Sequence, residues 1–135
     1  MPVRRLVPIL CALVAAGCGP RAPDTATKAR DAVRVFLVAC AQDDPQAASE
    51  VLTEPARAAF LRAGSVTAGC LAATNLALRG LTGEQTRRAL RDAQVTITHV
   101  HAIYAEAEIS APGGARGGLQ LDKVGGAWQV AGGLD

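Results

Sequence analysis

Aromatic side chains are nearly missing from this chain, which has two Phe, one Tyr and one Trp among 135 residues. Single-stranded nucleic acid is held by stacked aromatics in a basic groove, and Phe36, Phe60, Tyr104 and Trp128 supply no such platform. An excess of one charge is also lacking. The chain has 14 Lys and Arg against 12 Asp and Glu, and two of the bases, Arg4 and Arg5, stand in the opening segment. Without them the remainder is formally neutral, so the phosphate-neutralising patch of a nucleic-acid binder is absent. Nucleic acid is excluded as a partner. The apolar run at residues 6–16 is too short to span a bilayer, which takes about 20 residues. Histidine is confined to His99 and His101, whereas zinc takes at least three protein ligands. No metal or cofactor is expected.

What is present begins with that run. A basic head, a charge-free apolar stretch over residues 6–16 and a small residue at Gly17 form the pattern of a secretory signal. Leu13-Val14-Ala15-Ala16-Gly17-Cys18 resembles the lipobox of bacterial lipoproteins, although Ala15 stands where that motif prefers leucine. The resemblance implies cleavage before Cys18, thioether linkage of its thiol to a diacylglycerol, and a lipid anchor on the extracytoplasmic face of the cell membrane. The alternative is an ordinary signal peptide with a chance cysteine. The expected division is a signal peptide at 1–17, a tether at 18–24 containing Gly19, Pro20 and Pro23, and one domain at 25–135.

Four cysteines then reduce to one pair. Cys11 leaves with the signal and Cys18 takes the lipid, which leaves Cys40 and Cys70. In an oxidising compartment a lone pair is most simply a disulfide; two buried free thiols are the alternative.

From Thr25 the period is helical, with Ala29, Val33, Phe36, Leu37 and Cys40 on one side. Asp43-Asp44-Pro45 ends this helix and starts a second, with Asp44 as N-cap and Pro45 at the first helical position. A third helix starts near Thr53-Glu54-Pro55 and stops at Gly64, a fourth covers residues 67–78, and Thr82-Gly83-Glu84-Gln85 has the spacing of a capping box. These helices are alanine-rich and bury little area per residue, so they need a sheet to pack on. The second half alternates with period two through Val95 and Ile97, Ala105 to Ile109, Leu119 and Leu121, and Trp128 and Val130. Gly125-Gly126 marks a tight hairpin. The expected fold is α+β, with N-terminal helices packed on a curved antiparallel sheet of about four strands.

This layout resembles the small secreted members of the nuclear transport factor 2-like superfamily, the cone-shaped fold shared with ketosteroid isomerase. The likeness is carried by the opening amphipathic helix with Asp43-Asp44-Pro45-Gln46-Ala47-Ala48, by Leu52-Thr53-Glu54-Pro55-Ala56-Arg57, and by the terminal hairpin ending Gly125-Gly126-Ala127-Trp128-Gln129-Val130. It implies a curved sheet around an apolar pocket, for which Phe36, Ile97, His99 and Trp128 are the lining candidates. It leaves function open, because such folds host both enzymes and non-catalytic modules.

No catalytic set is legible. In a strand, His99 shares a face with Val95 and Ile97 and is the one candidate for a buried general base. No carboxylate and oxyanion donor can be placed beside it, and Glu106 and Glu108 fall on the opposite phase of the next strand. Arg87, Arg88 and Arg91 read as helix-surface charge, or as a contact for anionic lipid beneath a tethered domain. The expectation is a non-catalytic, lipid-anchored module that binds a small apolar ligand or a partner protein at the cell envelope. The alternative is an isomerase-like enzyme using a pocket histidine.

Overall fold

A computed structural model describes residues 24–134. The expected signal peptide, the expected lipidation of Cys18 and the expected tether as far as Pro23 lie outside the described residues. The chain forms five helices followed by four strands, the expected α+β order. The helices are α1 (Asp24–Ala41), α2 (Pro45–Glu50), α3 (Glu54–Arg62), α4 (Val66–Thr74) and α5 (Gly83–Asp92). The strands are β1 (Gln94–Val100), β2 (Tyr104–Ser110), β3 (Arg116–Val124) and β4 (Ala127–Gly133), and they pair in chain order as one antiparallel meander. The first helix therefore begins at Asp24, one residue before the expected domain boundary. No described helix is long and apolar enough to cross a membrane.

Local chemistry fixes most helix ends. The orphan amides of a first turn need acceptors, and a short polar residue supplies one each time: Asp44 to the Ala47 amide at 3.1 Å, Thr53 to Ala56 at 3.4 Å and Ser65 to Ala68 at 3.1 Å. At α5 both halves of the capping box form, Thr82 Oγ1 with the Gln85 amide at 3.1 Å and Gln85 Oε1 with the Thr82 amide at 2.9 Å. The fourth helix stops at Thr74, short of the expected Leu78, because Asn75 turns left-handed at φ 54°. Asparagine tolerates that region better than most residues.

The stripe Ala29, Val33, Phe36, Leu37 and Cys40 on α1 is fully buried against the inner face of the sheet, where Ala105, Ala107, Ile109, Leu119, Leu121 and Val130 point inward. The outer face carries Tyr104, Glu106, Glu108, Gln120 and Asp122, the inward-apolar, outward-polar division of a one-sided antiparallel sheet. Gly125 and Gly126 both take positive φ, 59° and 87°, which the tight β3–β4 turn demands. The last turn of α4 lies against β3 at Gly117, where a Cβ would stand 2.4 Å from the Thr74 carbonyl oxygen. Only glycine admits that approach. Along the β4 edge of the sheet, the junction between α2 and α3 adds a single parallel rung, Leu52 to Val130. Cys40 and Cys70 form a disulfide, tying the end of α1 to the middle of α4.

Candidate functional site

The strand period places His99 inward with Val95 and Ile97, and the structure corrects this. The register between β1 and β2 shifts between Ile97 and His99, so Ile97 faces Ala107 while His99 faces Glu106. One extra residue, Thr98, is absorbed as a bulge, and an extra residue reverses the phase of everything after it. His99 therefore leaves the core phase and stands exposed on the outer face.

A polar cluster results there. The rings of His99 and His101 meet edge-on with centroids 4.6 Å apart, and His101 stacks on Tyr104 at 5.9 Å. The Tyr104 hydroxyl donates to the Glu106 carboxylate, and Gln120 donates to Asp122 at 3.0 Å. The bond to Glu106 raises the Tyr104 pKa, with desolvation and the nearby charges of Glu106 and Asp122 adding to it. Tyr104 is the only tyrosine, so phenolate absorbance reports it alone. Its titration midpoint should lie above the ordinary value of about 10, and Glu106→Ala should return it toward that value. A midpoint unchanged by Glu106→Ala would remove the bond as the cause. Among the described residues, no group of three or more His, Cys, Asp and Glu is placed to hold a metal ion.

The four expected pocket residues do not come together in one cavity. Phe36 is fully buried, packed edge-on against Phe60 at 6.3 Å between centroids. Trp128 is also in the core, with the Lys123 ammonium 5.6 Å from its ring centre. Ile97 is half-buried along an open groove between α1 and β1, and His99 is on the outer face. In a chain with so few large side chains, the largest ones are consumed by the core.

The apolar cavity lies elsewhere. A half-open cleft of about 250 Å³ sits where α3, α4 and the end of β4 meet, with Ala56, Ala59, Phe60, Ala72 and Gly133 among its walls. All its lining residues are Ala, Gly, Pro or Phe, so no ionisable group reaches it. Small side chains on both helices leave a void that a Leu or Met would fill. Sequence reading missed this site, since alanines carry little periodic signal. The available cue was the density of alanine and glycine in residues 56–73 next to a strand ending in Gly132-Gly133.

Arg87, Arg88 and Arg91 line a second, polar groove of about 410 Å³ between α5 and Val38, Ala41 and Gln42 of α1. Two of the three are paired, Arg88 with Glu84 at 3.3 Å and Arg91 with Asp92 at 3.0 Å. The Arg91 bond lowers the Asp92 pKa. This groove flanks the C-terminal half of α1, at the end away from the helix start at Asp24. The guanidinium of Arg34 donates to the carbonyls of Ala93 and Arg91, closing the C-terminal end of α5 and fixing α1 beside the start of β1. Compared with models of known protein families, with curated proteins and with solved structures, the chain matches none.

Proposed function

We propose that the chain is a lipid-anchored, extracytoplasmic, non-catalytic module that receives a small apolar ligand, or an apolar side chain of an envelope protein, in the cleft between α3, α4 and β4. The observation that carries this reading is the cleft itself, concave, half-open and without an ionisable group on its walls. Its volume falls just under the usual range of about 300–1,000 Å³ for small-molecule sites, which suits a short acyl segment or one inserted side chain. The exposed place of His99, on the sheet face and away from the cleft, favours binding over a pocket base. Export is supported by the leader pattern ending at Cys18 and by the Cys40–Cys70 bridge, which persists in oxidising compartments. Membership of the nuclear transport factor 2-like superfamily belongs to the same proposal, supported by helices preceding a four-stranded meander and by the glycine turn before Trp128.

The test fills the cleft. Ala59 is exposed on its rim, so Ala59→Trp adds bulk there without disturbing the core. Binding of an apolar fluorescent probe should weaken by about tenfold or more, with the melting temperature unchanged. Equal probe affinity in both proteins, or no probe binding by either, would rule the cleft out as the ligand site.

A further inference from the structure

Resting on the anchor reading above, we propose that the end of the sheet carrying Val100, Ile103 and Val124 is a second membrane contact, which seats the tethered domain on the lipid surface in one orientation. Among the described residues seven large apolar side chains are exposed, and three of them gather here: Val100 at 39%, Ile103 at 69% and Val124 at 50%. They belong to two different hairpins. The Lys123 amide donates to the Ile103 carbonyl at 3.0 Å, which joins the β1–β2 loop to the end of β3 and brings the three positions to one end of the sheet, with Val100 on its inner phase and Val124 on its outer phase. The Gly125-Gly126 turn beside them adds no side chain to shield them. Exposed His101 and Lys123 border the patch, so an apolar point is rimmed by groups suited to headgroups, the composition of an interfacial anchor.

The direction of α1 connects this tip to the tether. Arg34 bonds to Ala93 at the start of β1, and Arg30 and Ala26 follow along the same groove as far as Ile97. Eight helical residues rise about 12 Å and four strand residues about 13 Å, so the two elements run antiparallel side by side. Ala26 therefore lies about 10 Å short of the tip, which is three strand residues beyond Ile97, and α1 begins two residues nearer to it, at Asp24. Five residues, 19–23, lie between Cys18 and the start of α1, six chain steps that reach at most about 22 Å. A lipid on Cys18 thus holds this end of the domain within reach of the bilayer. The arginine groove and the apolar cleft at the Gly133 end of β4 both lie toward the opposite end, turned away from the lipid.

The experiment uses the full chain, processed in a bacterial host and reconstituted into phosphatidylcholine–phosphatidylglycerol vesicles. Its intact mass is recorded from the same preparation. An environment-sensitive fluorophore is placed at Ile103→Cys or, as a control at the far end, at Leu61→Cys, which is 65% exposed on α3. Both positions lie outside the core, so the label leaves the fold intact. Interfacial groups sit about 5–10 Å into the headgroup boundary, so spin-labelled lipid should quench the Ile103 label at least about twofold and leave the Leu61 label unchanged. Acylated protein with an unquenched Ile103 label would overturn the membrane contact while leaving the anchor standing. A blue-shifted but unquenched label would point to tip-to-tip pairing of two copies and overturn it as well. Protein whose mass lacks the acyl group would overturn both readings together.

Discussion

Replacing Cys40 and Cys70 together by alanine is expected to lower the free energy of unfolding by about 3–4 kcal/mol, the chain-entropy value for a loop of this size. The bridge closes a sequence separation of 30 residues, and that loop contains all of α2 and α3. Neither helix is long enough to be stable alone, since isolated helices below about 12–15 residues are marginal in water. The effect acts mainly on the unfolded chain, which gains freedom once the bridge is gone. Urea unfolding should show a lower midpoint for the double variant and for the wild type under reductant, by similar amounts. Identical midpoints with and without reductant would mean that the two sulfurs are not bonded in the native protein. Small domains are typically stable by only about 5–15 kcal/mol, so reduced protein would stand close to unfolding.

Phe36→Ala is expected to cost about 3–5 kcal/mol, the range for emptying a buried aromatic site. Phe36 is among the largest fully buried side chains, and it sits where α1 meets the ring of Phe60 on α3. Much of the surrounding core is alanine, at positions 29, 39, 48, 105 and 107. Alanine side chains have no rotamers with which to collapse into the void, so relaxation there is limited. A loss below about 1 kcal/mol, within the range of ordinary surface substitutions and single small contacts, would show that the helices do not pack through Phe36. Phe36 lies one helical turn from Cys40, so the two losses are expected to couple rather than simply add. Even so, the combined variant should not fold.

The parts of this fold that were legible in the sequence are those decided within a few residues. Asp44, Thr53 and Thr82 announce helix starts because a short side chain reaches the amide three residues on. Gly125-Gly126 announces its turn because both positions need positive φ. The buried stripe of α1 followed from its spacing. The bulge at Thr98 was not legible, since nothing within residues 94–101 marks it; it exists only in pairing with β2. That one residue moved His99 from the expected pocket to the outer face and set it opposite Glu106. The early stop of α4 had a local sign in Asn75, outweighed by the apolar positions at Leu76 and Leu78. The cleft was hidden for a different reason: it is a gap left between three elements, whereas periodicity reports the faces that fill such gaps.

Export, anchoring and the membrane contact all require Cys18 to become the acylated first residue of an exported chain. Intact mass spectrometry of the membrane fraction, after expression of the full chain in a bacterium, tests this directly. The predicted mass is that of residues 18–135 plus a diacylglycerol less one water for the thioether, and less two hydrogens for the Cys40–Cys70 bond. A soluble product of all 135 residues, without acyl mass and with both thiols free, would contradict it.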